Sequence, residues 1–271
     1  MRRPPEAVRA GAHGRSGAMK NEPIISIRNI RRRFGSQQVL AGVDLDIAHG
    51  ETLVIMGRSG CGKSVLLKHI TGLFRPDEGR IFFEGEDITQ FGRKKLFQMR
   101  MHFGMLFQGS ALFDSMTVEE NVALPLVKHS GKNEDEIRET VADKLRIVGL
   151  EGVQGRYPSE LSGGMKKRVG LARAVVMDPE VVLYDEPTTG LDPIMSDVIN
   201  NLIRDLQTGL RITSVVVTHD IGSAYKIATR LAMLHEGRII YEGTPEETRG
   251  TDNEIVRQFV EGRADGPIGA F

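Results

Sequence analysis

Hydrophobic residues along the chain follow two spacings that alternate. Apolar and polar positions alternate at 24–30 and 43–47, as in strands with one buried face. Short continuous apolar runs predict strands buried on both faces at 52–56, 181–184 and 214–217. Apolar positions recur at helical spacing at 65–70, 163–177, 193–207 and 221–229. Buried strands that alternate with helices predict an α/β core with a parallel sheet.

One long stretch of the chain contains helical patterns only. Between Gln108 and Ser159 the apolar spacing predicts helices at 118–128 and 134–149 and no strand. We interpret this stretch as part of a helical subdomain, about residues 109–177, that is inserted into the α/β core.

Both ends of the chain differ from this regular organisation. Residues 1–23 are rich in Arg, Gly, Ala and Pro, which predicts a flexible tail, and Met19 suggests a misassigned start codon rather than a transit peptide. Near the other end, apolar residues at 255, 256, 259 and 260 form one helical stripe. Gly262 is expected to end that helix before a C-terminal tail at 263–271. The stripe can dock on the chain's own core or across a dimer, and both alternatives stay open.

Composition limits the classes of function. Of the 271 residues 40% are hydrophobic, which is enough to bury the core of one large domain or two smaller ones without disulfides. The 36 basic and 36 acidic residues cancel, which argues against a purely electrostatic binder of nucleic acid or acidic lipid. The single cysteine and the lack of a long apolar span or secretory signal lead us to expect a reducing, cytosolic compartment.

The strongest chemical motif follows the apolar run at 52–56. It matches the GxxxxGK[ST] pattern of a phosphate-binding loop, and a helical pattern follows it, as that motif requires. The P-loop consists of Gly57, Arg58, Ser59, Gly60, Cys61, Gly62, Lys63 and Ser64. The glycines let backbone N–H groups point at phosphates, Lys63 reaches the terminal phosphates, and the Ser64 hydroxyl suits Mg²⁺. The motif predicts a nucleotide site, in which Cys61 is expected to be tolerated rather than redox-active.

Two adjacent carboxylates complete the predicted nucleotide site. Asp185 and Glu186 follow the buried strand at 181–184, at the edge where parallel sheets bind ligands. We expect Asp185 to orient Mg²⁺ through water. Glu186 faces the other way and is expected to polarise an attacking water, a role that distinguishes a hydrolase from a nucleotide-binding switch.

A second predicted anion site lies further along the chain. In the signature segment, Leu161-Ser162-Gly163-Gly164-Met165, Ser162 stands at an N-cap position and the glycines let a ligand approach a helix N-terminus. The basic residues that follow, Lys166, Lys167 and Arg168, are predicted to form an exposed helix turn. One nucleotide needs only one phosphate loop, so the signature segment requires a separate explanation.

Taken in order, these motifs resemble those of the ATP-binding subunits of ABC transporters. The resemblance covers residues 24 to about 259 and includes Gln108, the Leu191-Asp192 pair and His219. It implies a P-loop NTPase (RecA-like) core with a parallel sheet, an antiparallel β subdomain and an inserted helical subdomain, all within one ABC ATP-binding domain at 24–262. It also implies ATP and Mg²⁺ as cofactors.

The resemblance explains the second anion site as well. It implies that two copies stack head to tail, so that Ser162, Gly163 and Gly164 of one copy contact the γ-phosphate of ATP in the P-loop of the other. ATP would then join the two copies, and hydrolysis would require the dimer.

The resemblance assigns roles to the remaining positions. Phe34 would stack on adenine, with a core phenylalanine before a turn as the alternative, and Asp192 belongs to the nucleotide-contacting set. His219 would contact the γ-phosphate and hold the attacking water. The implied Mg²⁺ ligands are Ser64, Gln108 and Asp185. The implied catalytic residues are Lys63, Glu186 and His219.

Three further segments, 107–113, 188–194 and 256–268, resemble the ATPases of Mla/Mce-type phospholipid transport systems. This resemblance implies a dimer at the cytoplasmic face of the inner membrane, beneath a permease that contacts residues 109–126. Through the permease it implies a periplasmic lipid-binding protein. The implied function is ATP-driven movement of phospholipids between the inner and outer membranes, which maintains outer-membrane lipid asymmetry.

Other functions within the same resemblance stay open. The chain could serve another transporter, or it could be a soluble ABC ATPase that acts on the ribosome or DNA. Too few residues separate Gln108 from Leu161 for the coiled coil of DNA-repair relatives, and the chain holds one motif set where translation factors usually carry two. The absence of an NKxD or TKxD motif argues against a GTPase. We therefore expect no nucleic acid partner.

Overall fold

The computed structural model of the protein describes residues 22–269. The strands in this range are β1 (Ile25–Phe34), β2 (Gln37–Ile47), β3 (Thr52–Met56), β4 (Glu78–Phe83), β5 (Glu86–Asp87), β6 (Phe103–Leu106), β7 (Val181–Asp185), β8 (Thr213–Thr218), β9 (Arg230–His235) and β10 (Arg238–Gly243). The α-helices are α1 (Lys63–Ile70), α2 (Arg93–Arg100), α3 (Val118–His129), α4 (Glu134–Ile147), α5 (Gly163–Val175), α6 (Pro193–Leu210), α7 (Ile221–Ile227), α8 (Pro245–Arg249) and α9 (Glu254–Glu261). Most of the tail predicted at 1–23, and residues 270–271 of the tail predicted at the C-terminus, lie outside the described residues.

Two sheets organise these elements. The larger sheet has the strand order β10-β9-β3-β8-β7-β6, and its strands from β9 to β6 are parallel to their neighbours. Strand β10 pairs antiparallel with β9 at one edge. The smaller sheet, β2-β1-β4-β5, is antiparallel throughout. The predicted α/β fold with a parallel sheet and an antiparallel β subdomain is therefore confirmed.

The continuous apolar runs of the sequence form the centre of the larger sheet. Every residue of β3, β7 and β8 is buried. Alternate residues of these strands belong to two hydrophobic clusters: Val54, Val182 and Val216 pack with helices α3 to α7, and their neighbours pack with α1 and the smaller sheet. Because both faces are covered, the strands need no polar side, which explains their uninterrupted hydrophobicity.

The helical subdomain is inserted between β6 and β7. Its helices α3 and α4 begin with capping boxes, Thr117 with Glu120 and Asn133 with Glu136. The buried faces of α3 and α4 pack with α5, which carries the signature segment at its N-terminus. The helices predicted at 118–128 and 134–149 are confirmed, with small shifts of their ends. Within residues 22–269, no helix combines the length and apolar character that crossing a membrane requires.

The C-terminal helix α9 packs on its own chain. Val256 is fully buried in a cluster with Met233 of β9 and Ile268. The Gln258 side chain accepts a hydrogen bond from the Ile268 N–H at 2.7 Å and donates one to the Ile268 carbonyl at 3.1 Å. Gly262 ends the helix with φ of 66°. Of the two dockings that the sequence left open, the structure places the stripe on the chain's own core, and residues 263–269 lie against α9.

Candidate active site

The P-loop joins the end of β3 to the start of α1 at the centre of the sheet. Gly57 follows β3 directly, and a Cβ atom there would lie 2.5 Å from the Leu234 carbonyl oxygen, so a side chain has no room. Gly62 precedes α1 with φ of 106°, a left-handed conformation that favours glycine. These glycines place the N-terminus of α1 at the C-terminal edge of the parallel strands, which is the geometry that binds phosphate.

Lys63 is a buried cation at this site. Its side chain is 5% exposed, and the Nζ atom donates hydrogen bonds to the carbonyls of Gly57 at 2.7 Å and Arg58 at 3.0 Å. The same Nζ lies 3.6 Å from Glu186 Oε1. The ammonium is thus held between the loop backbone and the carboxylate, and it faces both the P-loop and the second half of the predicted site.

The structure brings the P-loop hydroxyl to the first predicted carboxylate. Ser64 Oγ donates a hydrogen bond to Asp185 Oδ1 at 2.7 Å. Asp185 ends β7 and is 8% exposed. Gln108 follows β6, the neighbour of β7 in the sheet, and is exposed. Sequence reasoning placed Ser64, Gln108 and Asp185 in one set, and the sheet brings the segments that carry them to the same edge.

Glu186 has an unusual backbone and a tightly held carboxylate. Its φ of 49° lies in the left-handed region, and its N–H donates to the Val217 carbonyl at 2.9 Å. Oε2 lies 2.9 Å from His219 Nδ1, and it accepts hydrogen bonds from the hydroxyls of Thr218 at 3.2 Å and Thr189 at 3.3 Å. The structure therefore brings together Glu186 and His219, as predicted.

Sequence reasoning missed the two threonines. Thr218 is the last residue of β8, directly before His219, and Thr189 follows Glu186 in a tight turn. The only available signal was a hydroxyl residue next to a predicted site residue, and that signal is too common to be specific. The hydroxyls of these two threonines hold the Glu186 carboxylate in one orientation.

Cys61 lies inside the P-loop and is partly buried. Burial raises the pKa of its thiol, and the nearby Lys63 ammonium opposes this change. The raised pKa keeps the thiol protonated near neutral pH, whereas reactive cysteines are thiolates. This environment agrees with the expectation that Cys61 is not redox-active.

Phe34 presents its ring at the surface next to the smaller sheet. The side chain is 40% exposed, so the alternative of a core phenylalanine does not apply. The Arg32 guanidinium lies 4.8 Å from the ring centroid, and Phe74 meets the ring edge-on at 5.9 Å between centroids. These neighbours fix the ring while part of it faces solvent, an arrangement suited to stacking on a base. Stacking on adenine stays a prediction.

The signature segment forms a helix N-terminus apart from the P-loop. Ser162 caps α5, with its Oγ accepting a hydrogen bond from the Met165 N–H at 3.3 Å. A Cβ on Gly164 would lie 2.4 Å from Met195 Cε, so glycine allows α5 to approach α6. Asp192 caps α6 through hydrogen bonds from its first turn at 2.9 and 3.0 Å. In the described part of the chain, no hydrogen bond or ion pair joins 162–164 or Asp192 to the P-loop.

The predicted exposed turn at Lys166-Lys167-Arg168 is wrong, because Lys166 and Arg168 are half-buried and the central residue is buried. Lys167 is 5% exposed, and its Nζ donates to the carbonyls of Gln108 at 2.5 Å and Glu186 at 3.2 Å. Burial lowers the pKa of this ammonium, and Asp185 and Glu186 act in the opposite direction. Lys167 is buried because α5 packs directly against the ends of β6 and β7.

Comparisons with known proteins agree on one family. A family model described as ABC transporter matches residues 40–189. The chain is 43% identical over 258 residues to the probable ribonucleotide transport ATP-binding protein mkl of Mycobacterium leprae, which covers 95% of this chain and 74% of that protein. It is 40% identical over 248 residues to the intermembrane phospholipid transport system ATP-binding protein MlaF of Haemophilus influenzae, which covers 92% of this chain and 94% of that protein.

A solved structure supports the same assignment. It is a dimeric ATP-binding cassette in a post-hydrolysis state, bound to ADP and Pi. The two chains are 32% identical and superpose with a TM-score of 0.75, over 82% of this chain and 98% of that one.

Proposed function

This chain belongs to the ABC transporter family, and we propose that it is the ATP-hydrolysing subunit of a transporter that moves phospholipids between the inner and outer membranes. One observation supports the chemistry. Lys63, Asp185 and Glu186 converge at the C-terminal edge of the parallel sheet, with Lys63 Nζ only 3.6 Å from Glu186 Oε1. The Lys63 ammonium can then bind the γ-phosphate while the Glu186 carboxylate positions the water that attacks this phosphate.

Each side chain has a definite part in ATP hydrolysis. The N–H groups at the N-terminus of α1 and the Lys63 ammonium bind the β- and γ-phosphates. Glu186 accepts a proton from the attacking water and orients it in line with the γ-phosphate. His219, 2.9 Å from that carboxylate, holds the opposite side of the same water or the phosphate itself. The exposed face of Phe34 stacks on the base.

The residues present fit Mg²⁺. In the described residues 22–269, no group of three or more His, Cys, Asp or Glu side chains could hold a metal ion. The Ser64 hydroxyl and the Asp185 carboxylate are 2.7 Å apart, however, and Mg²⁺ on nucleotides prefers few oxygen ligands completed by phosphates and water. We infer that Ser64 and Gln108 coordinate Mg²⁺ and that Asp185 orients it. When bound, Mg²⁺ neutralises charge that develops on the phosphates.

We infer that two copies of the chain form the working unit. The solved cassette with a TM-score of 0.75 is a dimer. In this chain the capped N-terminus of α5 makes no polar contact with its own P-loop in the described range, and a helix N-terminus with exposed glycine suits the γ-phosphate of a second copy. Ser162, Gly163 and Gly164 then complete the partner's site, and Asp192 lies beside them.

The assignment of phospholipid as the substrate is supported by the similarity to known proteins. The match to MlaF spans 94% of that protein, so the two chains correspond almost end to end. We infer a peripheral position at the cytoplasmic face of the inner membrane, beneath a permease that contacts residues 109–126 and connects to a periplasmic lipid-binding protein. Transport would maintain the lipid asymmetry of the outer membrane. The 43% identity to mkl makes a ribonucleotide transporter the second candidate.

The test uses the native complex. The chain is purified from membranes in mild detergent with its bound partners, and the complex is reconstituted in liposomes that contain fluorescent phospholipid. ATP-dependent movement of the phospholipid, lost in Glu186→Gln, supports the proposal. ATP-dependent accumulation of labelled ribonucleotide without lipid movement would replace it by the second candidate. Recovery of the chain with ribosomes rather than with a membrane protein would overturn transport altogether.

A further inference from the structure

Helix α5 contacts the candidate active site with a face that begins one turn after its N-terminus. This face carries Lys167, Gly170 and Arg173, which are spaced three residues apart and so lie along one side of the helix. A Cβ on Gly170 would lie 2.9 Å from Leu106 Cδ1 and 3.2 Å from the Cβ of Ser110. The glycine therefore lets α5 approach the end of β6 and the segment that follows it.

The two cations of this face hold two loops with strained backbones. Arg173 donates hydrogen bonds to the carbonyls of Ser110 at 2.7 Å and Ala111 at 2.9 Å, and both residues have positive φ, 61° and 48°. Lys167 donates to the carbonyls of Gln108 and of Glu186, whose φ is 49°. Left-handed backbone is unfavourable for residues with a Cβ and persists only where surrounding contacts hold it.

The burial of the Lys167 ammonium depends on its hydrogen bonds to two backbone carbonyls. An ammonium with 5% exposure is costly unless its donors are used, and here two of them go to backbone carbonyls rather than to a carboxylate. An apolar side chain of the same length would fill the space without that cost. The two carbonyls belong to the residues predicted to bind Mg²⁺ and to act as the base.

We propose that Lys167 is a positioning residue that sets the catalytic carboxylate and the segment of Gln108 in fixed relation to α5. The proposal rests on the proposed role of Glu186 in ATP hydrolysis. One ammonium joins the loop after β6 to the loop after β7. Because the same helix begins at Ser162, the turn that serves the partner's nucleotide is rigidly connected to the base of its own site.

The experiment compares Lys167→Met, Lys167→Gln and Lys166→Met. Lys167→Met keeps the length and volume but removes the donors, and Lys167→Gln keeps an N–H donor. Lys166 is the matched control, since its side chain makes no hydrogen bond or ion pair with residues 22–269. We expect Lys167→Met to lower kcat about tenfold with KM for ATP within about twofold, Lys167→Gln to recover part of that loss, and Lys166→Met to match the wild type.

A double-mutant cycle separates positioning from general stability. If Lys167 acts through Glu186, adding Lys167→Met to Glu186→Gln leaves the single-turnover rate of Glu186→Gln unchanged within about twofold. A further tenfold loss in the double variant, or an unchanged kcat in Lys167→Met, would overturn the proposal. If Lys167→Met fails to fold, the same cycle with Lys167→Gln decides. A wild-type chain without ATPase activity would instead contradict the proposed function.

Discussion

Glu186, the proposed general base, has a strained left-handed backbone. Its left-handed φ of 49° is held by the bond from its N–H to Val217 and by the Lys167 ammonium on its carbonyl. Its carboxylate accepts bonds from Thr218 and Thr189 and lies against His219. Strain of this kind is found where a side chain must be aimed in one direction. An isosteric change should therefore alter the chemistry and leave the geometry intact.

We expect Glu186→Gln to keep ATP binding and to lower turnover by about 10² to 10⁴, the range for a lost general base. ATP should then hold the dimer together, because hydrolysis no longer releases it. Phosphate release measures turnover, and sedimentation with ATP measures the dimer.

Glu84→Gln is the control for this substitution. Glu84 also has a left-handed backbone, with φ of 48°, but it is exposed in a turn of the smaller sheet. Its replacement should leave phosphate release unchanged. If Glu186→Gln hydrolyses ATP at a rate near that of the wild type, Glu186 is not the base.

Helix α9 packs on its own chain, which is one of the two dockings that the sequence left open. Its buried face packs on Met233 and Ile268, and the Gln258 side chain hydrogen-bonds to the backbone of Ile268 in the segment after the helix. Val256 is fully buried at the centre of this contact, whereas Arg257, the next residue, is exposed. Substitutions at these two adjacent positions therefore test how much the buried contact contributes to stability.

We expect Val256→Ala to lower the free energy of unfolding by about 1.5 kcal/mol, since two buried methyl groups are lost. For a chain of this size that corresponds to a fall in melting temperature of about 3 to 6 °C. Arg257→Ala should change stability by less than about 0.5 kcal/mol. Thermal unfolding of the nucleotide-free protein measures both variants. An unchanged melting temperature together with weaker dimerisation would favour docking of the stripe across the dimer.

Residues 22–269 contain two helix N-termini to which we assign phosphate, and in our proposal each copy uses only one of them on its own nucleotide. The N-terminus of α1 follows the P-loop, and that of α5 carries Ser162. In the head-to-tail dimer that we propose, the N-terminus of α1 in one copy faces the N-terminus of α5 in the other, so one complete site needs parts from both copies. This division of the site allows complementation between two inactive variants.

We expect Ser162→Arg and Lys63→Ala to be inactive alone and to recover ATPase activity when mixed. In a mixed dimer, the intact P-loop of the first faces the intact signature segment of the second. Equal mixing yields at most about a quarter of wild-type activity, because half of the dimers are mixed and each has one complete site. Phosphate release from the mixture measures the recovery.

A double variant, Lys63→Ala with Ser162→Arg, is the control for mixing. Combined with Lys63→Ala it leaves no intact P-loop, so the mixture should stay inactive. Wild-type activity in Ser162→Arg homodimers would show that the signature segment does not contact the γ-phosphate.

Local patterns were sufficient for the class of fold and for most of the candidate site. The run at 52–56 is apolar because both faces of β3 are covered, and Gly60 and Gly62 of the P-loop adopt left-handed backbone that favours glycine. Asp185 and Glu186 could be predicted because they directly follow a buried strand. Motifs of this kind encode backbone geometry and ligand chemistry within one contiguous segment, so no knowledge of distant contacts is needed.

Contacts between segments that are distant in sequence could not be predicted without the tertiary structure. The basic run at Lys166-Lys167-Arg168 has the composition of a solvated turn, yet α5 packs on the ends of β6 and β7 and buries Lys167 between two carbonyls. The apolar stripe of α9 predicted burial but not its partner, since periodicity defines a face and does not define what covers it. Thr218 became part of the site only because β8 lies beside β7, a neighbour relation that arises from strand order and not from spacing along the chain.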